Sequence, residues 1–293
     1  MKAQKRVKTY IAFFVCVLFS IAAVLFSVSD RRNVARASYN NLTHEVVSER
    51  PYISADVAEA PAEEEAEEEE TEEDDDGWNG EGAELTVDFD TLLSENEDTI
   101  GWIHIPAVDV SYPLLYYPDN NDYYINRDFD GNYSEAGVIY LECTNNPDLE
   151  DKNSLIYGHN MADGSMFGDL HRLQLDEDLY TDHPYFYIYK PDGSVNRYSI
   201  FSYYPTQKGS NTYLTIQTKE GYDYYSNMAE YHSVRDIDVS FKDDPPIVTL
   251  STCHGGAGTT KRFVVHGILD GTCDLSEAEQ DQAEAESGGR VKP

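Results

Sequence analysis

The chain has few basic residues: 21 Lys and Arg stand against 55 Asp and Glu in 293 residues, a formal net charge of −34. A general nucleic-acid-binding protein needs a basic face that replaces the counterions condensed on the phosphates. The charge balance therefore excludes nucleic acid as a partner. Cysteine is also scarce, because four in this length are too few for a domain built on disulfides. Cys143 and Cys273 are candidates for a single pair, although nothing in the sequence requires it.

One hydrophobic run without charges lies near the N-terminus, over residues 10–28. In a helix, its 19 residues rise about 1.5 Å each and span roughly the 30 Å hydrocarbon core of a bilayer. The heavier basic cluster precedes the run, which keeps residues 1–9 in the cytoplasm under the positive-inside rule. We expect a transmembrane signal anchor that contacts membrane lipid. The protein is then a single-pass cell-membrane protein with the rest of the chain extracellular.

A cleaved secretory signal is the alternative interpretation of this run. Ala35-Arg36-Ala37 matches the A-x-A pattern of a cleavage site, but it lies well past the end of the run. The hydrophobic region of a cleaved signal is usually about 7–15 residues long, so the longer run favours an uncleaved anchor. Both interpretations place the remainder outside the cell, and neither fits a cytosolic enzyme.

Residues 29–84 have the composition of an acidic extracellular linker. Within it, Glu63 to Asp76 is interrupted only by Ala66 and Thr71. Such a block repels itself and stays extended, which predicts a solvated spacer. A regulatory or partner-binding role is the alternative. Residues 273–293 form a polar tail, which we expect to be disordered and without a second membrane span.

Residues 85–272 have the pattern of one compact domain, large enough to bury a core without disulfides. Short strand-like runs separated by turn residues predict a mostly β fold with a closed or nearly closed barrel. We expect short helices at residues 165–173 and 218–231, the second just before the last strands. The predicted strands are 102–105, 110–116, 138–141, 155–157, 185–189, 198–203, 247–250 and 263–269.

Three residues with reactive side chains lie at the ends of predicted strands. Cys253 precedes a glycine-rich loop at the rim, and a nucleophilic cysteine needs such access together with a stabilised thiolate. His159 follows strand 155–157, and an imidazole donates and accepts protons at neutral pH. Arg262 begins a strand nine positions after Cys253, and a guanidinium binds an oxyanion or a carbonyl. Each alone has an ordinary structural explanation, but together they indicate a nucleophilic site without a metal or cofactor.

These residues and their surroundings resemble the sortases, most closely class B. Thr249-Leu250-Ser251-Thr252-Cys253 is similar to the TLxTC signature, and Arg262-Phe263-Val264-Val265 to the arginine strand that follows it. Residues 156–161, Ile-Tyr-Gly-His-Asn-Met, are similar to the histidine motif. The resemblance covers about residues 87–269, and the helix predicted at 218–231 agrees with one that class B enzymes carry before the cysteine strand.

The resemblance implies a sortase-type closed β-barrel and a Gram-positive membrane transpeptidase. Such an enzyme cuts a sorting motif near the C-terminus of a secreted protein and joins the protein to an amine of the cell-wall precursor or peptidoglycan. Cys253 would attack the motif's threonine carbonyl and form a thioester. His159 would protonate the leaving amine and deprotonate the incoming one, and Arg262 would stabilise the oxyanion. Leu250 and Thr252 would line the peptide groove.

Two alternatives to wall anchoring remain open. A pilus-polymerising sortase, with a pilin lysine as the amine, would share the same site, although the missing C-terminal span argues against its usual form. A non-catalytic wall-binding module on the same fold is disfavoured by the intact Cys253, His159 and Arg262. Asp76-Gly77-Trp78 invites comparison with the Asp-Pro-aromatic lid of some pilus sortases, but glycine replaces proline. The glycine-rich connection 254–261 lacks the acidic and aromatic stretch that class B enzymes usually have there, so no acidic helper is predicted.

Overall fold

A computed structural model of the chain describes residues 17–18, 20, 35–50, 78–253 and 258–275. The predicted anchor at residues 10–28 lies outside this description except for positions 17, 18 and 20, which are helical. The acidic block 63–76, the loop 254–257 and residues 276–293 of the predicted tail also lie outside it, whereas Cys273 and Asp274, the start of that predicted tail, are in a strand. Within the described ranges, no helix combines the length and the apolar character needed to cross a membrane.

Eight strands form a closed barrel in the order β10-β8-β7-β3-β4-β5-β6-β9. Neighbouring strands are antiparallel except for the parallel pairs β4–β5 and β6–β9. The predicted mostly β, closed barrel is confirmed. The strands are β1 Val47–Glu49, β2 Leu85–Val87, β3 Thr99–Ile105, β4 Val110–Tyr116, β5 Ile139–Leu141, β6 Asn153–Tyr157, β7 Tyr185–Tyr189, β8 Ser194–Gln207, β9 Ile247–Cys253 and β10 Lys261–Asp274. The helices are α1 (residues 35–46), α2 Phe89–Glu95, α3 Glu177–Asp182 and α4 Lys219–His232, with 3₁₀ turns at Pro106–Val108, Leu170–Gln174 and Asn211–Tyr213.

The barrel interior is filled by large apolar side chains that alternate along the strands. Leu250, Phe263 and Val265 are fully buried in the main core. Successive residues of a strand point to opposite faces, so one residue in two faces this interior. Burying a side chain of this size stabilises the fold by about 1.5–3 kcal/mol.

Helix α4 covers the outer face of the barrel beside the cysteine strand. Thr218 caps its N-terminus, accepting a hydrogen bond from the Gly221 N–H at its side-chain oxygen. Tyr222, Tyr225 and Ala229 are buried at helical spacing, and they form a second core with residues of β8, β9 and β10. This helix confirms the prediction for residues 218–231.

Two sequence predictions need correction. The helix expected at 165–173 is confined to the 3₁₀ turn Leu170–Gln174, because the backbone at Met166 is left-handed (φ 55°) and breaks the pattern. The prediction of a solvated spacer over residues 29–84 is wrong for residues 35–50, which are folded. Tyr39 and Val46 of α1 are buried, and β1 pairs with β2. The signal was a helical spacing of apolar side chains: Ala35, Tyr39, Leu42 and Val46.

A buried histidine outside the reactive rim predicts a pH dependence of folding. His266 on β10 is fully buried; its Nδ1 lies 2.9 Å from Thr249 Oγ1, and its Nε2 has no hydrogen-bond partner among the described residues. Burial lowers its pKa from 6.5 to about 3. The unfolded chain therefore takes up this proton first as the pH falls, and the free energy of unfolding decreases from about pH 6.5 towards pH 3.

Between pH 7 and pH 5 we expect His266 to contribute a loss on the order of 2 kcal/mol in the free energy of unfolding. Urea titrations of the full chain at both pH values measure the total change. His266→Gln is the matched control, because its side chain cannot be protonated. An equal loss in both proteins would refute the assignment.

Candidate active site

Cys253 and Arg262 face each other across the last two strands of the barrel. Cys253 ends β9, and Arg262 is its register partner on β10. Paired residues of an antiparallel ladder project to the same face, so the thiol and the guanidinium share one side of the sheet. Ser251, two residues before Cys253, projects to that side as well. Both reactive side chains are partly exposed at this rim.

His159 reaches the same rim from the other neighbour of β9. Strand β6 runs parallel to β9 with Tyr157 paired to Ser251, and the Gly158 N–H donates to the Ser251 carbonyl at 3.2 Å. The adjoining Asn160 donates from Nδ2 to the Cys253 carbonyl at 2.7 Å. The fold thus places His159, Cys253 and Arg262 at the ends of three neighbouring strands.

The imidazole of His159 is held by its surroundings in one orientation. Its Nε2 lies 2.6 Å from the Ile125 carbonyl oxygen. A carbonyl only accepts hydrogen bonds, so Nε2 carries a proton in this arrangement. Nδ1 makes no hydrogen bond to any residue that the structure describes. Gly137 packs against the ring: a Cβ at that position would lie 3.0 Å from His159 Cδ2 and 2.8 Å from the Ile125 oxygen.

The guanidinium of Arg262 is fixed by the backbone of the loop before β10. Its Nη1 donates to the carbonyls of Thr259 and Lys261, each at 2.9 Å. Two bonds from one nitrogen orient the planar fork, which leaves its other N–H groups with a fixed direction. The arrangement is suited to binding a developing negative charge beside the thiol.

A tyrosine wall, defined by Tyr140, Tyr157 and Tyr213, flanks these residues. The rings of Tyr157 and Tyr213 stack with centroids 6.5 Å apart, and Tyr140 packs on Tyr157 at 5.5 Å. The Tyr213 hydroxyl lies 2.8 Å from Ser251 Oγ. Burial raises the pKa of all three phenols, so they stay neutral at working pH. Sequence reasoning assigned the wall no role, although 23 tyrosines in the chain were a compositional signal.

The structure corrects the prediction that Leu250 and Thr252 line the peptide groove. Both alternate with Ser251 and Cys253 along β9 and therefore face the barrel interior. Leu250 is completely buried in the main core, and Thr252 is 3% exposed. Neither side chain is available at the rim that carries the thiol.

Two further sequence hypotheses find no support at this rim. Trp78 lies at the opposite end of the long strands, where its ring stacks on Tyr187 and packs against Gly271 of β10. Gly271 lies nine positions after Arg262 on β10, so Trp78 is not a lid over the thiol. Within the described residues, no disulfide joins Cys143 to Cys273. Nor does any cluster of His, Cys, Asp and Glu in those ranges have the arrangement of a metal site.

Asn160 contacts the cysteine strand, and the sequence analysis assigned it no role. Its amide ties the histidine loop to the carbonyl of the nucleophile candidate. A typical hydrogen bond contributes about 1 kcal/mol, so we expect Asn160→Ala to lower the rate about fivefold to tenfold. Asn160→Asp should lower it at least as much, because a carboxylate keeps the shape but cannot donate. Rates of product formation by the full chain would measure both, and an unchanged rate in the Asp variant would remove Asn160 from the site.

Comparison with known proteins places this architecture in a family. The profile described as the sortase domain matches residues 103–270. Sortase B of Listeria monocytogenes is 35% identical over 194 residues, which cover 65% of this chain and 76% of that protein. A Staphylococcus aureus sortase B–substrate complex superposes with a TM-score of 0.57 and 29% identity, covering 62% of this chain and 84% of that one. A structure of sortase B complexed with triglycine also gives 0.57 at 29% identity, covering 62% and 85%.

Proposed function

The chain belongs to class B of the sortase family of cysteine transpeptidases, and we propose that it anchors secreted proteins to the cell wall. The substrate is a sorting motif near the C-terminus of a secreted protein, and the acceptor is an amine of the cell-wall precursor or peptidoglycan. The observation that carries the proposal is the convergence of Cys253, His159 and Arg262 on one rim of the barrel.

The first half-reaction forms a covalent bond to Cys253. The thiolate sulfur attacks the carbonyl carbon of the motif's threonine, and the carbonyl oxygen takes the negative charge of the tetrahedral intermediate. Arg262 donates N–H groups to that oxyanion. When the intermediate collapses, the C–N bond breaks and the leaving nitrogen takes a proton from His159. The products are a thioester on Cys253 and the released C-terminal fragment.

The second half-reaction runs the same groups in reverse. An incoming amine gives a proton to His159 as its nitrogen attacks the thioester carbonyl. The C–S bond then breaks, and the Cys253 thiolate is released. Because Nε2 of His159 is hydrogen-bonded to Ile125, we assign the proton transfers to Nδ1. The tyrosine wall beside the thiol offers apolar faces and neutral hydroxyls along which we place the bound peptide.

The membrane anchor at residues 10–28 is the second element of the proposal. An observation favours the uncleaved form: removal of residues up to Ala37 would delete residues 35–37 of α1, whose Tyr39 is buried in the domain. In a Gram-positive host, the anchored protein should stay in the membrane fraction after alkaline washing. N-terminal sequencing of the mature protein would reveal cleavage, which would begin the chain at residue 38.

The full-length chain in detergent micelles allows a direct test of function. It would be mixed with a panel of peptides from the C-terminal regions of secreted proteins, with triglycine as the amine. A sortase B structure was solved with triglycine bound, which makes this peptide a reasonable first acceptor. Mass spectrometry should detect a peptide cut within its motif and joined to triglycine. A lysine-containing pilin peptide as the acceptor tests the pilus alternative, and preferential use of that lysine would overturn wall anchoring.

A further inference from the structure

Helix α1 reaches the surroundings of His159 through one buried side chain. Tyr39 is 4% exposed, and its hydroxyl donates to the Gly137 carbonyl at 2.7 Å. Burial raises the pKa of Tyr39, so the phenol keeps its proton and remains a donor. This bond joins residues 98 positions apart, and it connects the helix that follows the predicted anchor to the barrel.

Gly137 is in direct contact with the histidine and with its hydrogen-bond partner. Its backbone is left-handed, with φ +60°. The space that a Cβ would fill there is already bounded by His159 Cδ2 at 3.0 Å and the Ile125 oxygen at 2.8 Å. The Tyr39 hydroxyl therefore fixes the backbone of Gly137, and Gly137 in turn contacts the imidazole ring.

A second path runs from Tyr39 to the other side of the histidine loop. The Tyr39 ring packs edge-on against Tyr112, with centroids 5.6 Å apart. The Tyr112 hydroxyl accepts from the Met166 N–H at 3.3 Å. Met166 forms an isolated β-bridge with Asn160, the residue that follows His159 in the sequence. The following N–H, of Phe167, donates to the His159 carbonyl at 3.0 Å.

Other residues of α1 lie beside a polar cleft or at the far end of the helix. A polar cleft of about 240 Å³ lies between the helix and loop 163–169. Arg36, Asn40 and Thr43 line the cleft. At the far end of the helix, the Val46 carbonyl accepts from the Asp88 N–H, beside β2 and away from the histidine. Among the described residues of α1, Tyr39 is the one that donates a hydrogen bond to Gly137.

We propose that Tyr39 is a positioning residue for His159, through which helix α1 sets the orientation of the imidazole from both sides. The inference rests on the proposed function, because the orientation of His159 affects the rate only if this residue carries the proton. The segment between membrane and barrel would then influence the reaction, because displacement of α1 would free the His159 imidazole to change its orientation.

Tyr39→Phe removes the hydroxyl and keeps the ring packing. In the full chain we expect kcat to fall about fivefold to tenfold, with KM changed less than twofold, because substrate contacts are untouched. Gly137→Ala perturbs the same contact from the other side and should lower kcat more. Val46→Ala is the matched control: it shortens a buried side chain of the same helix, away from Gly137 and Tyr112, and should leave kcat near that of the wild type.

A spectroscopic readout separates this proposal from the proposed function. In protein with ¹³C-labelled histidine, the His159 signal, assigned by its loss in His159→Gln, reports the tautomer and mobility of the ring. We expect Tyr39→Phe and Gly137→Ala to shift or broaden that signal, and Val46→Ala to leave it unchanged. An unchanged signal in Tyr39→Phe, or an equal change in Val46→Ala, would overturn the positioning role. The histidine signal tests the positioning role even if no sorting peptide is cleaved. Absence of cleavage would count against the proposed function alone.

Discussion

Replacement of Cys253 by alanine is expected to abolish both the cleavage of a sorting peptide and its ligation to an amine. The side chain supplies the electron pair that forms the thioester, and no other group in the described site offers a thiol at the rim. The loss should exceed about a thousandfold, because removal of a covalent nucleophile leaves only the residual effect of binding and oxyanion stabilisation. Product formation by the full chain, followed by mass spectrometry, measures it.

The fold should survive this change, since Cys253 ends β9 and is only partly buried. The melting temperature of the variant is therefore expected to match that of the parent. Cys143→Ala is the matched control, because this cysteine follows β5 and also has a partly exposed side chain. It should retain full activity. Turnover by a folded Cys253→Ala protein would rule out the proposed chemistry.

Replacement of Arg262 by lysine is expected to lower kcat about 10²- to 10³-fold, the usual effect of losing one oxyanion donor. Lysine keeps the charge but lacks the planar fork. In the parent, Nη1 donates to the carbonyls of Thr259 and Lys261. These two bonds hold the other N–H groups of the guanidinium in a fixed direction. The lysine ammonium has a single nitrogen, so it cannot bind these carbonyls with one nitrogen and the oxyanion with another.

The neighbouring cation provides the control for this prediction. Lys261 precedes Arg262 on β10, is exposed and projects to the other face of the strand. Lys261→Ala should leave kcat and KM close to those of the parent. If Arg262→Lys were as active as the parent, charge alone would suffice, and the role of the fork would be refuted. A loss confined to KM would instead assign Arg262 to ground-state substrate binding.

The barrel was predictable where a short apolar run is bounded by turn residues. Strands β4 and β7 have the bounds that their sequence patterns predict. Strands β8 and β10 are each 14 residues long, and only their middle parts were predicted. The polar start of β8 at Ser194 gives no apolar signal, and register shifts after His266 and Leu269 interrupt the alternation of β10. Long-range pairing overrides such weak local patterns.

The site was predictable to the extent that its residues end strands. The position of Cys253, His159 and Arg262 followed from motifs at strand ends, but their common face depends on the parallel β6–β9 pairing, which local patterns do not reveal. Leu250 and Thr252 were misassigned because they are close to Cys253 in the sequence. Side chains alternate between the two faces of a strand, which places both on the face opposite Cys253. The contact of Tyr39 with Gly137 spans 98 positions, beyond the reach of any local pattern.

Trapping the covalent intermediate tests the central claim most directly. The full-length chain would be mixed with the peptide panel in the absence of an amine and analysed by intact-protein mass spectrometry, with peptide mapping of the adduct. We expect the added mass of the N-terminal peptide fragment on Cys253, and its release by hydroxylamine or by triglycine, as for a thioester. A fragment attached to any other residue, or ligation by the Cys253→Ala protein, would contradict it.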